Sequence, residues 1–204
     1  MTNNILPAND DRRALRRELR ARRRAIQGPA RELAARNLAR LVAASGLLRP
    51  GRRIALYLAM PEEIDTLPLL QIARQRGCFI ATPRITSIRH NRIRFHDLEG
   101  AVQRGAFGIM EPRGTRSRRA REFDVVFMPL VGFDARGNRI GMGRGFYDRC
   151  FAHRIRLRQW RRPLLVGLAY DQQQVALLSA TKHDVPVDMI VTQSSLRRIR
   201  RSDP

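Results

Sequence analysis

RIALYLAMPEEIDTLPLLQIARQRGCFIATP, residues 53–83, carries two short apolar runs on either side of a segment with helical periodicity. The first run, Ile54 to Ala59, is bounded by Pro61 and suits a strand buried on both faces. Asp65 and Thr66 offer caps for a helix over Leu67 to Arg76, which Gly77 ends. Directly after it, Cys78 to Thr82 reads as a second strand, stopped at Pro83. The stretch is therefore a βαβ unit and predicts an α/β fold.

Working outward, the same signals recur on both sides. Upstream, Asp10 and Asp11 can cap a basic helix from Arg12 to about Ile26, in which Leu15, Leu19 and Ile26 make only a thin apolar stripe. Gly28 and Pro29 separate it from a second helix over Ala30 to Ala44, with Leu33, Leu38, Leu41 and Val42 at near-helical spacing. Downstream, Ile93 to Asp97 reads as a short strand, Arg113 to Arg121 as a basic loop and Asp124 to Leu130 as a buried strand. Phe146 to Leu157 reads as a helix, Leu164 to Ala169 as a strand and Met189 to Thr192 as a last strand. The alternation predicts a layered α/β/α sandwich around a mostly parallel central sheet. No repeat, linker or boundary divides residues 1–204, so one domain is expected, with basic, mobile ends.

At 204 residues such a domain can bury a core without disulfides, and Cys78 and Cys150 are too few and too far apart for a disulfide framework. No apolar run approaches the roughly 20 residues that cross a bilayer, and the N-terminus lacks a secretory pattern. A cytoplasmic monomer with no membrane association is expected. The formal net charge of +22 favours polyanions. Arginines are nevertheless spread along the whole chain, Lys182 is the only lysine, and no base-stacking aromatic pattern accompanies them. Nonspecific polyanion binding is expected, and a specific nucleic-acid partner is not. An RNA-binding protein is the alternative favoured by charge alone.

The strongest chemical signal is GFDARGNRIGMGRGFYDR, residues 132–149, where a buried strand leads through Gly141, Gly143 and Gly145 into a helix. Alternate glycines let the backbone take positive φ and turn N–H groups toward phosphate oxygens, and the helix start adds positive potential. Arg139 and Arg144 can supply charge-assisted contacts, and Asp148 can meet Mg²⁺. The spacing is neither a Walker loop nor a Rossmann fingerprint. On the glycines alone, a plain turn in which Tyr147 packs and Asp148 complements the helix dipole stands equally.

The whole segment resembles the signature loop of the 5-formyltetrahydrofolate cyclo-ligases. It is accompanied, in order, by RRALRRELRARR (12–23), YLAMPEEIDT (57–66), FGIMEP (107–112), VGLAYDQQ (166–173) and HDVPVDMIVT (183–192). The resemblance implies ATP-dependent conversion of 5-formyltetrahydrofolate to 5,10-methenyltetrahydrofolate, with ADP and phosphate as products and Mg²⁺ as cofactor. It implies ATP contacts from Arg12, Arg13 and Arg16, and from Arg139, Ile140, Gly141, Met142, Gly143, Arg144, Gly145, Phe146 and Tyr147. Arg12 stands where the family usually has lysine, which keeps charge and changes donor geometry. Leu58 and Glu63, with Met142 to Phe146, are the implied folate contacts. A carboxylate at Glu63 accepts paired donors from a pterin, while Glu62 is expected to face solvent.

Asp148 and Asp184 are the implied Mg²⁺ pair, and Asp188 is read as a strand-edge charge. His90, His96, His153 and His183 accompany no nucleophile motif, so no hydrolase triad is expected. Tyr170 is expected to pack, and Trp160 to lie at a surface helix end. A sugar-phosphate isomerase or kinase on a similar scaffold is the alternative enzyme reading.

Overall fold

The protein is described here by a computed structural model covering residues 8–114, 116–156 and 162–199. The chain opens with α1 (Ala8–Arg24) and α2 (Gly28–Ala44), then β1 (Arg53–Ala55), α3 (Leu67–Gln75), β2 (Phe79–Ser87) and β3 (Arg92–Asp97). Next come β4 (Val102–Arg104), β5 (Met110–Pro112), β6 (Ser117–Arg118), β7 (Val125–Pro129), β8 (Gly132–Phe133) and β9 (Arg139–Ile140). The remainder is α4 (Phe146–Phe151), α5 (His153–Arg156), β10 (Leu164–Leu168), β11 (Met189–Val191) and β12 (Leu196–Arg198). Among the described residues, eight strands form one sheet in the order β12-β11-β10-β7-β1-β2-β3-β6. The centre, from β11 to β2, is parallel, and antiparallel strands flank it at both edges.

The central strands alternate between two cores, as the two-residue side-chain period requires. Ile54, Val125, Phe127, Val166 and Val191 face α2 and α3, where Leu38, Val42, Leu69 and Ala73 meet them. Ala55, Val126, Met128, Leu165 and Ile190 face the opposite side, with Phe123 and Phe151. Burial on both faces explains why these segments read as continuous apolar runs. A smaller cluster of Leu19, Val131, Ile140 and Leu178 seats α1 near the end of β7.

Several boundaries differ from expectation. α1 begins at Ala8, so Asp10 and Asp11 lie inside its first turn and not ahead of it. β1 stops at Ala55 although the apolar run continues. The carbonyl of Leu56 accepts the Thr82 hydroxyl at 2.7 Å and that of Tyr57 accepts the Thr66 hydroxyl at 2.8 Å, so side chains replace ladder partners there. Thr66 sits at the N-cap of α3 without a side-chain cap hydrogen bond, while Asp65 Oδ1 accepts the Leu67 N–H at 3.0 Å.

β2 passes through Pro83 to Ser87, because an extended φ suits proline and the pairs on either side of it carry the antiparallel ladder. The basic loop contains β6, which extends the sheet by pairing with β3. The expected helix after the glycine loop divides into α4 and α5, while Leu157, Trp160 and the C-terminal tail lie outside the described residues. The small pairs β4–β5 and β8–β9, and the edge strand β12, were too short to announce themselves by periodicity.

Candidate functional site

Beyond the last residue of β1 the chain leaves the sheet through Tyr57 and Leu58, and β7 ends at Pro129. Between these ends lies a cleft open to solvent. Leu58, Pro83, Ile85, Ile93 and Ile109 make its apolar walls, and Phe146 and Tyr147 enter it from α4. Glu63 and Glu111 are the carboxylates on that wall. Such a cavity suits a flat, mostly apolar ligand with a few polar atoms to be oriented.

Glu63 is 7% exposed, and its Oε2 accepts the Met60 N–H at 2.9 Å. Burial pushes its carboxyl above the usual carboxylate range, against the pull of that N–H and of Arg23, whose Nη1 stands 3.8 Å from Oε1. Burial, followed by the charge of Glu63, also raises the Tyr57 and Tyr147 phenols, so both remain neutral hydroxyls. Glu62 does not face solvent. Its carboxylate takes Arg20 at 2.9 Å, Arg23 at 2.8 Å and Arg24 at 2.9 Å, and these cations outweigh burial to lower its pKa. A run of arginines that reads as a solvated face is thus anchored on one acid.

The glycine loop runs from β9 to α4. Gly143 has φ +101° and Gly145, at the α4 N-cap, has φ +67°, whereas Gly141 needs no positive φ. A side chain at Gly143 would meet the Arg16 guanidinium at 3.6 Å. Arg16 Nε donates to the Gly141 carbonyl at 2.8 Å, so α1 holds the loop from outside. Burial, then the charge of Arg12, lowers the Arg16 pKa, and Asp184 opposes them. Met142 and Arg144 are exposed, with the Arg144 guanidinium 4.3 Å over the Phe107 ring. Arg139 and Ile140 are buried, and Arg139 is turned to Asp148 instead of lying open for phosphate. Arg13 is exposed and makes no hydrogen bond among the described residues.

Asp148 of α4 meets the backbone of the segment that carries Asp184, ahead of β11. Asp148 Oδ1 accepts Arg139 Nη2 at 2.7 Å and the Val185 N–H at 3.0 Å, one residue past Asp184. Asp184 Oδ2 accepts Arg12 Nη1 at 2.9 Å and the Thr181 N–H at 2.8 Å. The Thr181 side chain adds a further hydrogen bond to the Asp184 carboxylate. No group of three or more candidate metal-ligating side chains occurs among them.

Asp188, expected as an edge charge, forms a part-buried two-point ion pair with the buried Arg154 at 2.6 and 2.9 Å. Tyr170 is buried in the core and its hydroxyl donates to the Glu63 carbonyl at 3.3 Å.

Sequence reasoning missed two charged residues beside the cleft. Glu111, 4% exposed, accepts the Ile85 N–H at 3.0 Å, and its place in the FGIMEP motif was the available signal. Arg23 is 1% exposed and gave no signal, since it reads like the arginines around it.

An α/β sheet with an apolar, carboxylate-bearing cleft and an adjoining glycine loop held by arginines defines a small-molecule enzyme of the ligand-at-strand-ends type. The 5-formyltetrahydrofolate cyclo-ligase family matches residues 8–193, and the chain belongs to that family, which makes it a ligase of folate one-carbon metabolism. It is 29% identical to the mouse 5-formyltetrahydrofolate cyclo-ligase over 92% of this chain and 96% of that one. The Haemophilus influenzae 5-formyltetrahydrofolate cyclo-ligase is 35% identical over 70% and 77% of the two chains. The solved 5,10-methenyltetrahydrofolate synthetase of Aquifex aeolicus superposes with a TM-score of 0.76 at 26% identity, covering 95% of each chain.

Proposed function

We propose that this chain converts 5-formyltetrahydrofolate to 5,10-methenyltetrahydrofolate with cleavage of ATP, working as a single-domain cytoplasmic monomer. The observation that carries the reading is that Phe146 and Tyr147, which follow the glycine loop, line the same cleft as Glu63. In this reading the loop that would cradle phosphate adjoins the cleft of the pterin-reading carboxylate.

In this reading the pterin edge donates to Glu63 and lies against Leu58 and the loop from Met142 to Phe146. The ATP phosphates rest on the loop N–H groups near Gly143 and Gly145. Arg12, Arg13, Arg16 and Arg144 supply cations, Arg139 orients Asp148, and Ile140 anchors the loop. The formyl oxygen attacks the γ-phosphorus and ADP leaves. Folate N10 then closes on the activated carbon and loses its proton, and departure of phosphate leaves the methenyl bridge. No protein nucleophile is needed, so the chain's work is alignment and charge neutralisation. Asp148 and Asp184 fit Mg²⁺ by the chemistry of their hard oxygen donors, and water and phosphate would complete its shell. When bound, the ion neutralises charge on the phosphates.

The test is to mix purified protein with 5-formyltetrahydrofolate, Mg²⁺ and ATP. The near-ultraviolet absorption of the methenyl product should grow and should be abolished by omitting ATP. No product from well-folded protein would refute the reading.

A further inference from the structure

Arg23 is an outlier among the arginines of α1. Its neighbours Arg22 and Arg24 are exposed, yet its own side chain is 1% exposed, and its Nε is buried without a hydrogen-bond partner among the described residues. Burying a guanidinium carries a large desolvation cost unless anions compensate. The compensation is local. Nη2 donates to Glu62 at 2.8 Å, Nη1 reaches the Leu130 carbonyl at 3.4 Å, and the same nitrogen lies 3.8 Å from Glu63 Oε1. That last separation is an ion pair and too long for a hydrogen bond, so it leaves the acceptor capacity of Glu63 for something else.

Other ionisable groups give Glu63 little help. Tyr57, after β1, and Tyr147, on α4, face it as neutral rings, Glu62 adds a like charge, and Glu111 lies on the same cleft wall. Arg31 of α2 and Tyr170 bind only the Glu63 backbone carbonyl. Among the described residues Arg23 is therefore the cation paired with a carboxylate that burial pushes toward its neutral form.

We propose that Arg23 is a positioning residue whose buried guanidinium keeps Glu63 an ionised, acceptor-only carboxylate in the cleft. This rests on the reading that Glu63 meets the folate. A protonated Glu63 would present a donor where the pterin also presents donors, so its ionisation state decides whether the ligand is held. Because Arg23 is in α1, the helix whose Arg12 and Arg16 hold the Asp184 and glycine-loop side, one element serves both halves of the cavity.

The experiment measures folate KM, ATP KM and kcat across pH 6–9 for the parent, Arg23→Met, Arg23→Lys, Glu62→Gln and Glu63→Gln. Arg23→Met should raise folate KM on the acid side, moving the pH at which KM begins to climb upward by roughly one to three units, the usual reach of a neighbouring opposite charge. Arg23→Lys should restore most of the profile. Glu62→Gln, which removes a like charge, should move the rise the other way and decides the matter if Arg23→Met does not fold. ATP KM should stay near the parent value in all of them. If Glu63→Gln leaves folate KM unchanged, the underlying reading fails and this proposal with it. If Glu63→Gln raises folate KM while Arg23→Met changes it equally at every pH, or Glu62→Gln leaves the profile in place, the proposal alone is overturned.

Discussion

Arg12 and Asp184 are joined by a 2.9 Å ion pair across 172 positions of sequence, so the first helix closes onto the segment before β11. Burial pushes the Asp184 carboxyl up, but the Arg12 and Thr181 hydrogen bonds outweigh it and the net pKa is lowered. A lowered carboxylate pKa contributes stability above the unfolded value, and that contribution is lost as pH falls through the folded one. In Mg²⁺-free buffer, Asp184→Asn should therefore melt below the parent at pH 7, and the gap should close in acid below the ordinary aspartate range. Thermal melts at both pH values check this, and a gap that persists in acid would contradict it.

With Mg²⁺ present, the same aspartate and Asp148 should be read through metal demand. An amide keeps an oxygen and loses the charge that draws a hard cation. Asp148→Asn should raise the Mg²⁺ concentration for half-maximal activity, and Asp184→Asn should do so less strongly. Titrations that match the parent in both variants would remove the metal pair.

Glu63→Gln should weaken folate use and spare ATP. Losing one charged hydrogen bond costs about 1.5–3 kcal/mol, or roughly 10- to 150-fold in kcat/KM. Steady-state kinetics with each substrate varied in turn gives the answer.

The glycines of the loop should separate by backbone geometry. At Gly143, with φ +101°, alanine should be strained by about 1–3 kcal/mol. Alanine at Gly141 should be nearly neutral for folding, because its φ is ordinary and the nearest atom beyond its chain neighbours is 3.9 Å away. Gly143→Val adds β-branching to the same strain and should abolish ATP binding in a folded protein. Calorimetry of ATP binding, with circular dichroism to establish folding, distinguishes the positions.

Arg154→Met should be a stability variant and not an active-site one. It removes a two-point ion pair, while Asp188 keeps the Leu165 N–H at 2.8 Å, so the cost should stay below the roughly 3–5 kcal/mol of a fully buried broken pair, a fall in Tm of less than about 10 °C. Activity per folded molecule should stay near the parent value. Adding Asp188→Asn should cost less than the sum of the two single changes, since both remove the same ion pair.

The α/β class, the order of the central strands along the chain and the glycine loop were legible in the sequence because each is a local pattern. Apolar runs such as Val125 to Met128 mark strands buried on both faces, and the glycines report backbone conformation directly. Only the tertiary structure decided how the charges are used. Glu62 was expected in water and instead gathers three arginines, one of them 39 positions away. Asp188 was expected at an edge and is paired at two points with the buried Arg154. Arg139 was expected to lie open for phosphate and is buried against Asp148. The arginines of α1 are chemically alike in sequence, yet Arg12, Arg16 and Arg23 are set apart by what packs beside them. An arginine's role depends on the distant carboxylate or carbonyl that offsets its desolvation, and no periodicity along the chain encodes that partner.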